Sequence, residues 1–223
     1  SSNYITNLID KIDPKKQMKI LIGSGFAENI KSPKLFLERE NYGNSFETIK
    51  KIKSELFFKI LKREKIDFPK SIKFKPAEGK WLIKSFNSFG GQNVNLYVDN
   101  KNLKSNEYLQ KKIIGEQISV QFSAKKKQIN ILGIFEQVLK NPEKGNFFIK
   151  SLISKKVTLK FYEQIFSIMK KIASLFKLNG LNSLDLLLSK KKLFLIEVNP
   201  RPGLGINIIL KINKSLCSKK KTF

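Results

Sequence analysis

The sequence contains no histidine, a single cysteine and, apart from Arg39, Arg63 and Arg201, no arginine among its 223 residues. Without histidine, no imidazole can act as a general base, a proton shuttle or a metal ligand. The lone cysteine, Cys217, excludes an internal disulfide, and we interpret it as an incidental thiol in a reducing, cytoplasmic setting. Any chemistry must therefore depend on carboxylates, lysines, backbone amides and a hard cation.

Long hydrophobic runs are also missing. No apolar stretch approaches the roughly 18 residues that a spanning helix needs, and residues 1–4 show no signal-peptide pattern. A membrane partner is therefore not expected. The hydrophobic fraction of 41% and the 18 phenylalanines nevertheless favour a packed globule over a disordered chain. A chain of 223 residues is long enough for one sizeable core or two small ones.

The net charge of +26 comes almost entirely from lysine. Proteins that read nucleic acids usually rely on arginine for two-pronged contacts to phosphate and guanine, so the scarcity of arginine disfavours a nucleic-acid partner. We interpret the lysine runs at 125–127, 190–192 and 219–221 as solvated turns and tails. The alternative is a phosphate-rich partner, and the basic field would in any case help to attract a nucleotide polyphosphate.

Hydrophobic periodicity predicts both helices and strands. Apolar residues at three- and four-residue steps predict a helix from Ser45 that ends before Pro69, followed by a polar connector over 70–79. A long amphipathic helix is predicted over 159–178, with an apolar stripe of Ile165, Ile168, Met169, Ile172, Leu175 and Phe176. Strands are predicted over 17–26, 81–84, 108–114, 117–123, 128–138, 183–189 and 193–198. The sheets are expected to be largely antiparallel, and the predicted fold class is α+β.

Two acidic residues and an amide distinguish the last pair of strands. A hairpin turn centred on Lys191 would place Asp185 opposite Glu197, with Asn199 on the same face one step further on. Opposed carboxylates repel, and a hard divalent cation such as Mg²⁺ removes the repulsion and prefers oxygen ligands of this kind. Just beyond, the planar fork of Arg201 can hold a phosphate or a carboxylate. Alternatively, the two acidic residues are ordinary solvent-facing strand residues. The same register pairs Leu187 with Leu195. The residues predicted to point into the core are Leu184, Leu186, Phe194, Ile196 and Val198.

A second candidate site begins at Lys84, at the end of a predicted strand. A lysine there can reach phosphate oxygens, and the loop that follows contains Ser88, Gly90 and Gly91, whose flexible backbone amides could close over them. Taken alone, a surface lysine followed by a plain turn is the simpler interpretation.

Residues 110–120 form a third candidate. Backbone groups of an edge-like strand here could pair with an adenine ring, while polar side chains meet its amino group and the ribose. For this segment alone, a solvated strand and turn is the simpler interpretation. The turn at 23–25 lacks the third glycine of a dinucleotide fingerprint and the lysine of a P-loop, so it reads more simply as the exit from a strand.

Taken together and in this order, the three segments resemble the ATP-grasp superfamily. WLIKSFNSFGGQNV resembles its lysine strand and glycine-rich flap, QKKIIGEQISV its adenine-receiving hinge, and GLNSLDLLLSKKKLFLIEVNPRPG its metal-binding hairpin. The resemblance covers about Lys53 to Gly205, and the last motif is the most specific. Upstream, LIGSGFAENIKSPKLF and the predicted helix after it resemble the pre-ATP-grasp region and linker helix. The most similar members are small-molecule carboxylate–amine ligases, including those encoded beside one-carbon pathways that use methanopterin or methanofuran.

The resemblance implies roles for individual residues. Arg201 and Lys84 would act in catalysis, and Asp185, Glu197 and Asn199 would hold one or two Mg²⁺ ions, with Mn²⁺ as an alternative. The residues implied for nucleotide binding are Lys53, Lys84, Ser88, Gly90, Gly91, Gln110, Lys111, Ile113, Glu116 and Gln117.

The resemblance also implies a division of the chain. A pre-ATP-grasp remnant with the linker helix would occupy 1–75, a small lid subdomain 76–115, and a large metal-binding subdomain 116–223. Two positions depart from the family pattern, because Gln110 replaces the usual hinge glutamate and Gln117 the ribose-contacting one, unless Glu116 takes that role after a one-residue shift. The chain is also shorter than other members at both ends, so a fragment or a compact member is expected.

The implied function is that of an ADP-forming ligase using ATP and Mg²⁺. Such an enzyme activates a small-molecule carboxylate as an acyl phosphate and joins it to an amine. Alternatives are an ATP-grasp kinase that phosphorylates a hydroxyl and an inactive ATP-binding relative. A basic nucleic-acid-binding module is least favoured, because it would need clustered arginines. The expected partners are the carboxylate and amine substrates, and the resemblance favours a homodimer.

Overall fold

The computed structural model describes residues 2–219 except 75, 77, 87, 89, 99–101 and 127, with backbone alone at 2–3 and 213–219. Asn87 and Phe89 of the predicted flap, and the lysines at 127, 220 and 221, therefore lie outside the described residues, as does the side chain of Cys217. Within the described part, no helix is long and apolar enough to cross a membrane.

Seven helices are described. They are α1 (Ser2–Ile12), α2 (Phe26–Asn29), α3 (Lys34–Glu38), α4 (Phe46–Ile52), α5 (Glu55–Arg63), α6 (Leu159–Phe176) and α7 (Gly205–Lys219). Hydroxyl side chains cap the N-termini of α4 and α6. At the start of α4, Ser45 Oγ accepts a hydrogen bond from the backbone N–H of Thr48 at 3.2 Å. The single helix predicted from Ser45 is instead two, because the chain leaves the helical conformation at Lys53, φ −90° and ψ 40°. This break leaves Lys53 at the end of α4, from where its side chain reaches the large sheet.

Four short strands form a small antiparallel sheet. They are β1 (Ser71–Ile72), β2 (Trp81–Ser85), β3 (Asn95–Leu96) and β4 (Glu107–Lys111), in the order β1-β4-β2-β3. Trp81, Ile83 and Leu109 are its buried core. The sequence predicted only a polar connector over 70–79, and this is wrong for β1, whose two residues pair with β4.

Five longer strands form the large sheet, which is also antiparallel. They are β5 (Glu116–Lys125), β6 (Gln128–Asn141), β7 (Asn146–Ser154), β8 (Gly180–Ser189) and β9 (Lys192–Asn199), in the order β7-β6-β5-β8-β9, with a 3₁₀ turn at Pro142–Lys144 between β6 and β7. The predicted α+β fold class is confirmed.

The large sheet presents one apolar and one polar face because its side chains alternate. On the apolar face, Ile118, Val120 and Phe122 of β5 pack with α6 in the main hydrophobic core. The predicted stripe of α6 is confirmed, with Ile165, Met169, Ile172 and Phe176 fully buried and Ile168 and Leu175 packed at the edge. The polar face, which includes Ser119 and Asp185, is turned towards the small sheet.

The strand predicted over 17–26 does not form. In the described chain this segment makes one isolated parallel bridge, Ile20 to Asn41. Met18 and Leu21 are 58% and 50% exposed. An apolar run becomes a strand only when neighbouring strands pair with it, and the described residues offer this one a single bridge.

The hairpin of β8 and β9 confirms one predicted pairing and corrects another. Asp185 lies opposite Glu197, as predicted, but Leu187 pairs with Phe194 instead of Leu195. The reason is that the hairpin has a two-residue turn, Lys190 and Lys191, instead of a turn centred on Lys191. A β-bulge at Ile196 then adds one residue to β9 and restores the pairing of Asp185 with Glu197. The tighter turn reverses the predicted orientation of β9 between the turn and the bulge: Leu193 and Leu195 are buried, whereas Phe194 and Ile196 are only partly buried. Beyond the bulge, Val198 is buried as predicted.

Candidate active site

A cleft lies between the two sheets, and most of the sequence-predicted site residues line it. The small sheet contributes Lys84 and Gln110, and the large sheet contributes Asp185, Glu197 and Asn199. The remaining predicted residues in the lining are Ser88, Gly90, Gly91, Lys111, Ile113, Gln117 and Arg201. Elements that are far apart in the sequence therefore converge as the three motifs predicted.

Asp185 is held by three side chains of the large sheet. Its Oδ1 accepts hydrogen bonds from Ser119 Oγ at 3.0 Å and Gln137 Nε2 at 2.9 Å, and its Oδ2 accepts one from Asn199 Nδ2 at 3.2 Å. Burial, together with the negative charge of Glu197, raises the pKa of Asp185 to about 6. The carboxylate is therefore fixed in position and would gain from a neighbouring cation.

Glu197 faces Asp185 from β9 and forms an ion pair with Lys53. Lys53 Nζ donates to Glu197 Oε1 at 2.6 Å. Burial alone would raise the pKa of Glu197, but the ammonium groups of Lys53 and Lys84 outweigh burial and lower it. The two opposed carboxyl groups thus have pKa values shifted in opposite directions.

Lys84 is buried at the end of β2 and donates to Gln110 Oε1 at 3.0 Å. Burial lowers the pKa of the Lys84 ammonium and Lys53 lowers it further, against the opposing effect of Glu197 and Asp185. A cation kept from solvent above two carboxylates is suited to anionic groups of a ligand that enters the cleft.

Gln110 lies in β4 with its amide oriented by two neighbours. Its Oε1 accepts from Lys84, and its Nε2 donates to Ser71 Oγ at 3.2 Å. Further along the chain, Gln117 lines the cleft, whereas Glu116 forms an ion pair with Lys155 at 2.5 Å. The geometry therefore favours Gln117 over Glu116 as the residue that faces a ligand.

The glycine loop after β2 packs against β7. Gly91 adopts a φ of +80°, and a Cβ added there would overlap the carbonyl oxygen of Phe147. Gly90 adopts a φ of +60°, but a Cβ added there would meet only open space. Of these two glycines, Gly91 is the one that needs glycine for close contact as well as for its backbone conformation.

Arg201 is buried and makes contacts in three directions. Its Nε donates to Glu28 Oε1 at 2.7 Å, one terminal nitrogen donates to Asn199 Oδ1 at 3.2 Å, and the other donates to the carbonyl oxygen of Pro202 at 3.1 Å. Sequence reasoning missed Glu28, since nothing in a single sequence connects it with a partner 173 positions away.

Further polar residues of the site were also missed. Ser119 of β5 and Gln137 of β6 contact Asp185. Alternation along β5 was the available signal, because Ser119 lies between the core residues Ile118 and Val120. Asn44, which donates to the carbonyl oxygen of Pro200 at 2.9 Å, gave no such signal.

The oxygen ligands suit a small divalent cation. No group of three or more cysteine, aspartate and glutamate side chains gathers into a metal site within the described residues. The candidate ligand set therefore consists of two carboxylates and the amide of Asn199. This set suits Mg²⁺, which usually takes one or two carboxylates and completes its shell with water and phosphate oxygens.

Comparison with known proteins agrees with this geometry. The sequence matches the ATP-grasp domain family over residues 52–204, more than half of the chain. No curated protein matches it at a significant level. The link to one-carbon pathways stays a prediction.

Among solved structures, an L-amino acid ligase from Bacillus licheniformis is 18% identical with a TM-score of 0.64, the match covering 78% of this chain and 47% of that one. A D-alanine–D-alanine ligase from Bacillus anthracis complexed with ATP is 16% identical with a TM-score of 0.65, covering 89% and 72%. The biotin carboxylase domain dimer of a 2-oxoglutarate carboxylase from Hydrogenobacter thermophilus, in complex with MgADP, is 16% identical with a TM-score of 0.69, covering 91% and 51%. The chain thus spans about half the length of two of these proteins. It belongs to the ATP-grasp family and has the ATP-grasp fold.

Proposed function

We propose that the protein is a Mg²⁺- and ATP-dependent ligase that joins a small-molecule carboxylate to an amine and releases ADP and phosphate. The observation that carries this proposal is the direct opposition of Asp185 and Glu197 on β8 and β9, beneath the buried ammonium of Lys84. Two carboxylates facing one another are costly without a cation, and two lysines beside them suit a polyphosphate. The solved relatives complexed with ATP and with MgADP support this choice of ligand.

The metal ligands of the proposal are Asp185, Glu197 and Asn199, with Mg²⁺ preferred and Mn²⁺ as an alternative. When bound, the ion would neutralise phosphate charge and remove the repulsion between the two carboxylates. Ser119 and Gln137 hold Asp185 in place through its Oδ1 atom. These two hydrogen bonds orient the Asp185 carboxylate in the absence of a metal ion.

The nucleotide would lie in the cleft with its phosphates towards Lys84 and Lys53. Gln110 and the backbone of Lys111 and Ile113 would receive the base, and Gln117, with Glu116 as the alternative, would contact the ribose. The loop with Ser88, Gly90 and Gly91 would cover the phosphates and keep water away from the reacting groups.

The chemistry balances without a protein nucleophile. An oxygen of the substrate carboxylate attacks the γ-phosphorus of ATP, the bond to the ADP oxygen breaks, and an acyl phosphate forms. The amine nitrogen then attacks the acyl carbon, the carbon–oxygen bond breaks, phosphate leaves, and the amine proton is released. Arg201 would stabilise the charge on the transferring phosphoryl group and on the acyl phosphate.

The reaction class can be tested by trapping the intermediate. We would incubate the protein with MgATP, a panel of carboxylates and hydroxylamine, and measure ADP and hydroxamate together. A carboxylate that yields equal amounts of both supports the acyl phosphate route. ADP release that depends on a hydroxyl compound, with a stable phosphorylated product and no hydroxamate, would show a kinase instead.

The assembly and the location belong to the same proposal. A homodimer is supported by the dimeric carboxylase domain among the solved relatives, and light scattering of the purified protein would test it. A cytoplasmic location is supported by the lack of a disulfide pair in the sequence. Fluorescent tagging in cells would test this location.

A further inference from the structure

A buried ion pair joins the N-terminal part of the chain to the loop that follows β9. Arg201 Nε lies 2.7 Å from Glu28 Oε1, and the two side chains are 7% and 0% exposed. Residue 28 lies outside the segment that matches the ATP-grasp family, 52–204. The arginine proposed to act on the phosphoryl group is therefore paired with a residue beyond the family segment.

Glu28 is itself held in one orientation. Its second oxygen, Oε2, accepts a hydrogen bond from the backbone N–H of Gly25 at 2.7 Å. Gly25 adopts a φ of +82°, which favours glycine at that position. With both carboxylate oxygens engaged and the side chain fully buried, Glu28 is placed to orient Arg201 and not to contact a substrate.

The guanidinium plane of Arg201 is fixed by contacts in different directions. Besides Glu28, it donates to the side chain of Asn199 at 3.2 Å and to the carbonyl oxygen of Pro202 at 3.1 Å. The charge-assisted bond to Glu28 is the strongest of these in kind. Because a guanidinium donates only within its plane, the orientation set by Glu28 decides where its remaining N–H groups point.

A second contact from the same part of the chain holds the backbone next to Arg201. Asn44 Nδ2 donates to the carbonyl oxygen of Pro200 at 2.9 Å and to Asn182 Oδ1 at 2.7 Å. Its own oxygen accepts from the backbone N–H of Asn179 at 2.9 Å. The side chain of Arg201 and the backbone before it are thus both held by residues upstream of the family segment.

We infer that Glu28 is a positioning residue for Arg201, so that the N-terminal segment aligns the arginine of the ATP-grasp hairpin for phosphoryl transfer. This inference rests on the role that the proposed function gives to Arg201. Glu28→Gln keeps the shape and the acceptor oxygen but removes the charge, which weakens the strongest of the contacts that orient the buried guanidinium. Transition-state stabilisation should then fall, while nucleotide binding, which depends on other residues, should persist.

The scarcity of arginine provides a spectroscopic test of the alignment. The chain has three arginines, so a nitrogen–proton correlation spectrum should show three Nε–H resonances. Arg201 Nε meets Glu28 in the interior, Arg63 Nε meets Glu64 at the surface, and Arg39 Nε has no hydrogen-bond partner in the described part of the chain. The resonance that disappears in Arg201→Lys belongs to Arg201. Glu28→Gln should shift this resonance and leave those of Arg39 and Arg63 in place.

A kinetic experiment tests the consequence, with MgATP as the probe and ADP release as the readout. For Glu28→Gln we expect the KM for MgATP to stay within about threefold of wild type and kcat to fall by about tenfold to a hundredfold, as for a misplaced reacting group. The matched control is Asp13→Asn, which weakens the other buried arginine pair of this segment, Asp13 with Arg39. The control should leave kcat and the Arg201 resonance unchanged.

Two results would overturn the inference. One is a folded Glu28→Gln variant that keeps at least half of the wild-type kcat. The other is an Arg201 resonance that does not move in that variant. If Glu28→Gln fails to fold, kcat and the Arg201 resonance are measured on Glu28→Asp instead. Its carboxylate lies one methylene further from the guanidinium. Wild-type protein that does not bind MgATP would instead refute the proposed function, whereas the resonance tests the Glu28–Arg201 alignment without any nucleotide.

Discussion

Lys53 Nζ lies 2.6 Å from Glu197 Oε1, so a proposed nucleotide-binding lysine forms an ion pair with a proposed metal ligand. The pair joins the end of α4 to β9, across 144 positions of sequence. Because Glu197 also faces Asp185, the lysine ammonium supplies positive charge where a divalent cation would otherwise be needed. A metal ion and Lys53 should therefore compete for Glu197, and a bound phosphate group would offer Lys53 a new partner.

Replacing Lys53 should change the binding of metal and of nucleotide in opposite directions. In Lys53→Met, Mn²⁺ alone should bind more tightly, because the competing ammonium is gone. MgATP should bind about tenfold more weakly or worse, a loss of at least ~1.4 kcal/mol. Electron paramagnetic resonance measures the concentration of free Mn²⁺, and calorimetry measures the affinity for MgATP. The control is Lys50→Met, which removes a lysine charge at an exposed position of α4. Equal weakening of Mn²⁺ binding and MgATP binding in Lys53→Met would contradict the competition.

Asp185→Asn should stabilise the metal-free protein at neutral pH. The pKa of Asp185 is raised from 3.8 to about 6, so the unfolded chain binds fewer protons than the folded one between these values. The contribution of this group to stability is therefore present below about pH 4 and is lost as the pH rises through about 6. Removing the ionised group should recover about 1–3 kcal/mol at pH 7, less whatever its hydrogen bonds contribute. Urea unfolding in EDTA at pH 4 and pH 7 measures this, and a variant less stable than wild type at pH 7 would contradict the account.

Gly91→Ala should displace the glycine loop from β7. The new methyl group would overlap the carbonyl oxygen of Phe147, which is backbone and cannot simply turn aside. Gly90→Ala is the matched control, since that position has a positive φ but open space, and it should cost only the backbone penalty of about 1–2 kcal/mol. In Gly91→Ala we expect faster cleavage of the loop in limited proteolysis and weaker binding of MgATP. Both changes should be much larger than in Gly90→Ala. Equal behaviour of the two variants would mean that contact with Phe147 has no role in closing the loop.

The sequence predicted the hairpin of β8 and β9 because its signal is local. The predicted turn centre at Lys191 was wrong: the structure has a two-residue turn, with Lys190 and Lys191 both at positive φ. The bulge at Ile196 then adds one residue to β9, and this restores the predicted pairing of Asp185 with Glu197. Alternation along two neighbouring strands was sufficient to place both carboxylates on one face.

The contacts that depend on distant residues could not be predicted. Glu28 meets Arg201 across 173 positions and Asn44 meets Asn182 across 138, and no periodicity or spacing in one sequence encodes such pairs. The apolar run at 17–26 satisfied the strand pattern but found only one bridging partner among the described residues, at Asn41. Local patterns thus predicted most of the elements and the opposition of Asp185 and Glu197, whereas the contacts around them required the three-dimensional structure.

The most direct test of the account is calorimetric titration of the protein with ATP, with and without Mg²⁺, on wild type and on Glu197→Ala. Glu163→Ala, which removes a carboxylate from the exposed side of α6, is the control. We predict Mg²⁺-dependent binding to wild type and to the control, and a loss of at least about tenfold in affinity, ~1.4 kcal/mol, in Glu197→Ala. A well-folded wild type that binds no ATP in the presence of Mg²⁺, or a Glu197→Ala variant that binds it as tightly as wild type, would contradict the account.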